Sequence, residues 1–118
     1  MFEFIKNLLG LGGAKGYENI NAAEFEKLLS ETSDAVVLDV RTMGEFGSGH
    51  LPKAQNIDVT SSQFQSKIAQ LDKNKTYFLY CRSGNRSGMA SKILAQNGLT
   101  KLFNMSGGIG SWQGKVVK

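Results

Sequence analysis

Thr76-Tyr77-Phe78-Leu79-Tyr80-Cys81-Arg82-Ser83-Gly84-Asn85-Arg86-Ser87-Gly88 changes character sharply after residue 81. Its first part is a continuous aromatic and aliphatic run, the pattern of a strand buried on both faces, as in a parallel sheet. Its second part is small, polar and cationic. It leads into Met89, Ala90, Ile93 and Leu94 at helical spacing, with Gly98 as a natural stop. A buried strand that feeds a loop and then a helix is the building unit of an α/β domain. Ligands of such domains lie outside the carboxyl ends of the parallel strands. The loop 81–87 is therefore the place to look for chemistry.

Further out, Ala35-Val36-Val37-Leu38-Asp39-Val40 is a second continuous β-branched run. Ala54–Ile57 after Pro52 and Lys101–Phe103 read as shorter strands. Between them lie helical patterns. Asn21 caps a helix with Glu24 placed to close the box, Ile20 and Phe25 are spaced as a staple, and Phe25, Leu28 and Leu29 form its apolar face. Ser61 or Ser62 is expected to cap a second helix with the face Phe64, Ile68 and Leu71. The polar stretch Arg41–Leu51, with Gly44, Gly47 and Gly49, reads as loop holding at most one helical turn. Strands alternating with helices predict an α/β domain with a parallel sheet.

The chain has 118 residues, 41% of them hydrophobic and 20% charged, which suits one packed domain and argues against disorder. A net charge of +4 without a dense basic run gives no indication of nucleic-acid binding. The single cysteine cannot form an internal disulfide, so a cytoplasmic location is expected. The opening stretch Met1–Gly10 is interrupted by Glu3 and Lys6, lacks a basic leader and is too short to span a bilayer. We expect residues 1–16 to be a helical stub with a glycine joint at Gly10, Gly12, Gly13 and Gly16, and residues 17–118 to be the domain. Phe2, Ile5, Leu8 and Leu9 of the stub would pack on the domain itself, a partner chain or a membrane surface; packing on its own domain, or a disordered end, is favoured.

Cys81 stands at the strand end. Small residues after it let backbone N–H groups turn inward, and the following helix start adds positive potential. Arg82 and Arg86 add two cations. These features predict a solvent-accessible thiolate with a depressed pKa, held where an anionic substrate could meet it. The alternative is a small buried hydrophobe that closes the strand.

Four ordered segments resemble the rhodanese-like sulfurtransferases. Cys81-Arg82-Ser83-Gly84-Asn85-Arg86-Ser87 resembles the active-site loop of that family. Leu38-Asp39-Val40-Arg41 with Glu45-Phe46 resembles its strand-end motif, Gly49-His50-Leu51-Pro52-Lys53-Ala54 its Gly-His-Ile-Pro-Gly-Ala segment, and Gly107-Gly108-Ile109-Gly110-Ser111-Trp112 its closing Gly-Gly-x-x-x-Trp. Lys53 departs from the family glycine. The resemblance covers about residues 17–112. It implies a three-layer rhodanese-like domain with a five-stranded, mainly parallel sheet flanked by helices. It also implies sulfane-sulfur transfer from thiosulfate or a related anionic donor, through a Cys81 persulfide stabilised by amides of residues 82–86. The acceptor would be cyanide or an external thiol such as glutathione, thioredoxin or a protein cysteine. No cofactor or metal is implied.

Around the loop, Asp39 and Arg41 either shape the charge of the site or brace it, with bracing favoured. Glu45 supports the same region. His50, the sole histidine, is read as a structural residue bonded to backbone carbonyls, ahead of a base or a metal ligand. Trp112 packs on the core or lines the pocket mouth, and the former is favoured. Gly107 and Gly108 permit a tight backbone turn near the site. A cysteine phosphatase fits less well. Its loop has five residues between Cys and Arg where this chain has four, and no Asp or Glu follows Asp72 to serve as general acid. A thiol-redox enzyme lacks its resolving cysteine. A persulfide carrier or interaction module, exchanging sulfur with one bound partner, remains the alternative to an enzyme.

Overall fold

The computed structural model describes residues 16–118, and the expected helical stub with the glycines up to Gly13 lies outside the described residues. One sheet organises the domain. Its strands are β1 (Glu18–Ile20), β2 (Ala35–Asp39), β3 (Gln55–Asn56), β4 (Thr76–Tyr80) and β5 (Leu102–Met105), in the order β1-β5-β4-β2-β3. Each pairing between them is parallel. All residues of β4 are buried, because it has a strand on either side and helices over both faces. That double enclosure is why its sequence is an unbroken apolar run rather than an alternating one.

The helices are α1 (Ala22–Glu31), α2 (Met43–Gly47), α3 (Phe64–Ile68) and α4 (Asn85–Gln96). Strand periodicity sorts the core into two layers. Leu38, Tyr77, Leu79 and Leu102 pack with Phe64 and Ile68 of α3 and Ala90 and Leu94 of α4. Val37, Phe78, Tyr80, Phe103 and Met105 pack on the other face with Phe25 and Leu28 of α1. Phe25 meets Phe78 edge to face at 5.3 Å, an arrangement that adds to plain burial. Asn21 caps α1 by accepting the Glu24 N–H at 2.9 Å, and Ile20 and Phe25 share one apolar layer as a staple requires.

Several expectations need correction. The residue pattern did not reveal β1, which has one buried residue among three and exists by pairing with β5. Helix α3 begins at Phe64 after an uncapped Gln63, while the Ser61 hydroxyl accepts the Gln63 N–H in a turn outside the helix. Leu71 lies past the end of α3 yet still packs on the core. Within Arg41–Leu51 the helical turn is real and carries a full capping box between Thr42 and Glu45. Met89, expected on the buried face of α4, is 60% exposed. Lys53 has φ 64°, the left-handed conformation that glycine adopts without cost, and no other non-glycine among the described residues shares it.

Candidate active site

Cys81 follows β4 with the parity of Tyr77 and Leu79, so its side chain enters the layer beneath α4. The Ile109 N–H donates to the Cys81 carbonyl at 2.9 Å, which anchors the strand end to the segment after β5. From there the loop turns through Gly84, the N-cap of α4, with φ 104°. A Cβ on Gly84 would press within 3.2 Å of the Gly107 nitrogen and the Met105 carbonyl. At Gly108 (φ 65°) a Cβ would overlap the Arg82 carbonyl and the Ser83 nitrogen. Backbone therefore packs directly on backbone behind the loop, which is the work expected of the closing glycine pair.

The loop converges on the sulfur. Gly84 N–H donates to Cys81 Sγ at 3.1 Å, and the Ser87 hydroxyl lies 3.4 Å from it. Burial pushes the thiol pKa up. The Ser87 hydroxyl and the N–H groups of Ser87, Gly84 and Ser83 together outweigh that effect, so the net direction is down. The expected depression is present, but hydroxyl and amide donors dominate it rather than guanidinium charge. The expected accessibility is not present: Cys81 is 0% exposed. Arg82, Ser83 and Asn85 of the same loop are exposed.

Arg86 is not a free cation. Its two terminal nitrogens donate to the Glu45 carboxylate at 2.8 and 3.0 Å, tying the start of α4 to α2. Arg86 holds the Glu45 pKa down to about 2, and Glu45 in turn raises that of Arg86, with a smaller contribution from Cys81. No carboxylate among the described residues pairs with Arg82.

The remaining candidates support the scaffold. Asp39 receives Arg41 Nε and Nη2 at 2.7–3.1 Å, and Arg41 Nη2 also donates to the Gly49 carbonyl at 2.6 Å, all buried. This is a brace between the end of β2 and the Gly49 turn. The Arg41 guanidinium also lies 5.6 Å over the Tyr80 ring, whose hydroxyl accepts the Leu51 N–H at 3.0 Å. His50 stacks on Phe46 at 3.7 Å and bonds the Phe46 carbonyl through Nδ1 at 2.9 Å, which makes Nδ1 the protonated nitrogen. Trp112 meets Phe25 edge to face at 6.1 Å and donates to the Lys115 carbonyl, on the face away from Cys81.

Sequence reading missed Asn104. Its Nδ2 donates to the Gly84 carbonyl at 3.2 Å and to Asn19 Oδ1 at 2.9 Å, so it steadies the residue whose N–H holds the sulfur. The available signal was an asparagine inside the apolar strand Leu102–Met105, where an unpartnered amide is costly. Among the described residues, no helix is long and apolar enough to cross a membrane.

Comparison with known proteins bears on the family and the fold. The family model described as Rhodanese-like domain matches residues 21–115. The chain is 30% identical over 93 residues to a sulfurtransferase of Allochromatium vinosum, covering 79% of this chain and 85% of that protein. It is 27% identical to YrkF of Bacillus subtilis, whose name provisionally describes a sulfur carrier; 97% of this chain aligns, spanning 64% of that protein. A tRNA uridine(34) hydroxylase of Cytophaga hutchinsonii is 35% identical over 78% of this chain, which spans only 30% of the hydroxylase. Among solved structures, a rhodanese-related protein from Thermoplasma volcanium has 35% identity and a TM-score of 0.74, covering 86% of this chain and 98% of that one. A matching family model over most of the chain, relatives named for sulfur transfer and a shared parallel sheet have one reading: this chain belongs to the rhodanese-like domain family.

Proposed function

We propose that the protein transfers sulfane sulfur through a persulfide on Cys81. The observation that carries this reading is the set of donors around Sγ, a hydroxyl and inward N–H groups that lower the thiol pKa despite full burial. Such donors stabilise a thiolate and, after reaction, the terminal sulfur of a persulfide anion. With thiosulfate as donor, the Cys81 thiolate attacks the outer sulfur. A new S–S bond forms, the donor S–S bond breaks, and sulfite leaves with the electron pair. An acceptor thiolate then attacks the terminal sulfur of the persulfide, carries it away and restores the Cys81 thiolate. Glutathione, thioredoxin or another protein cysteine suits that step, since the chain has no second cysteine. Cyanide would take the sulfur as thiocyanate. Asp39, Arg41, His50 and Trp112 act in this scheme by holding the scaffold, while Arg82, Ser83, Gly84, Asn85, Arg86 and Ser87 form the loop around the sulfur.

The burial of Cys81 favours a second reading, in which sulfur is exchanged only with a docked protein that parts the loop. Mass spectrometry after incubation separates the two. Thiosulfate should add one sulfur (about 32 Da), removable by cyanide and absent in Cys81→Ser. Loading from a protein persulfide but not from thiosulfate would replace the enzyme with a carrier. Loading from neither would end both readings.

A further inference from the structure

The sequence supplies the sulfur loop with two guanidinium groups, Arg82 and Arg86, and the fold answers one of them. Both terminal nitrogens of Arg86 are occupied by the Glu45 carboxylate, at 2.8 and 3.0 Å. Arg86 holds the Glu45 pKa down to about 2, so this carboxylate is ionised throughout the neutral range. A second carboxylate, Asp58, is bridged to no cation among the described residues and adds to the negative charge that Arg86 feels. Its Oδ1 accepts the Thr60 N–H and hydroxyl at 2.8 and 2.7 Å, which fixes it in place. Arg86 also feels the Cys81 thiolate, so a donor seated on that sulfur lies within range of the same charges.

Charge matters here because nucleophile and donor repel each other. The thiolate carries one negative charge and thiosulfate two, so three meet at the sulfur. The hydroxyl and N–H donors around Sγ stabilise the sulfur itself. Compensating a second charge on the donor takes a cation whose field is not cancelled nearby.

We propose that Glu45 is a specificity-determining residue: by answering Arg86 it disfavours dianionic donors such as thiosulfate and suits the site to sulfane-sulfur donors with a single negative charge. This deepens the sulfur-transfer reading and rests on it. With a thiosulfonate anion, the Cys81 thiolate forms an S–S bond to the outer sulfur. The donor S–S bond breaks, and the sulfinate leaves with the electron pair. The same attack on an organic persulfide releases its thiolate.

The test follows the second-order rate of Cys81 persulfide formation by mass spectrometry, with thiosulfate and with methanethiosulfonate, which has one negative charge fewer. Glu45→Gln keeps an acceptor for the Thr42 cap and a neutral oxygen for Arg86, and removes the charge. It should raise the thiosulfate rate about tenfold and the methanethiosulfonate rate about threefold, since one change in potential acts on two charges in the first donor and one in the second. Asp58→Asn should move both rates the same way by smaller factors. Comparing each donor with itself removes their different leaving groups from the result. A thiosulfate rate that does not rise would overturn the proposal. So would equal factors for the two donors, because a purely structural role for Glu45 moves both alike. In either case sulfur transfer itself still stands, whereas loading of neither chain by either donor would overturn both readings.

Discussion

Two arginine–carboxylate pairs flank the loop, and they are built for different tasks. Asp39 and Arg41 are two residues apart, buried, and locked further by the Gly49 carbonyl. Glu45 and Arg86 are 41 residues apart, and each side chain is about 30% exposed. The first pair has been removed from water and must be completed by its own neighbours, so losing one member strands a charge. The second is partly solvated, so its worth lies less in stability than in where it keeps the first turn of α4. Burial, rather than geometry, separates a brace from a tether.

The sharpest way to break this contrast is at Asp39. Asp39→Ala should cost about 3–5 kcal/mol of unfolding free energy, read as a lower urea midpoint with unchanged slope. The joint change Asp39→Leu with Arg41→Met should recover most of it, because no buried charge is then left alone. A single-mutant cost below about 1 kcal/mol would make the two pairs equivalent.

Arg86→Ala should lower stability by no more than about 1 kcal/mol while slowing Cys81 persulfide loading several-fold, since the tether to Glu45 holds the first turn of α4, which sets the Ser87 hydroxyl against Sγ. An unchanged loading rate would remove Arg86 from the mechanism. The tether also has a pH signature. Glu45 is held at about 2 when folded, against an ordinary 4.5, so the folded form binds its proton more weakly. Its contribution is complete above the ordinary value and fades as pH falls toward about 2. The stability gap between the native chain and Glu45→Gln should therefore close on acidification through that window, and a constant gap would contradict the assignment.

The smallest effect belongs to the turn at Lys53, closed by the Ala54 N–H on the Leu51 carbonyl. Lys53→Gly should raise stability by roughly 0.5–1 kcal/mol, the relief of a left-handed side chain less the added freedom of the unfolded glycine. A loss of stability instead would show that the lysine side chain contributes more than its backbone costs.

What could be read from the sequence was whatever neighbouring residues decide together. β2 and β4 announced themselves by apolar runs, the Asn21 cap by its spacing, and the sulfur site by small residues between a strand and a helix. What stayed hidden depends on partners distant in the chain. β1 is a strand because β5 lies beside it, and the Arg86 charge is answered by a carboxylate from the far side of the loop. The close packing of Gly108 on the Arg82 backbone arises in the same way, between segments far apart in the chain. Asn104 falls just past the strand expected at Lys101–Phe103, and its part in the site comes from Gly84, twenty residues away in the chain.

The alternation along β4 has a further consequence, for length rather than composition. Residues 77, 79 and 81 face α4, while 78 and 80 face α1. Deleting or inserting one residue in this strand would carry the thiol through the sheet to the opposite side, among the aromatic rings and away from all of its donors. Many substitutions can be absorbed here, but a change in the count of residues cannot, so descendants of this chain are free to vary the lengths of their outer connections and not the stride of this strand.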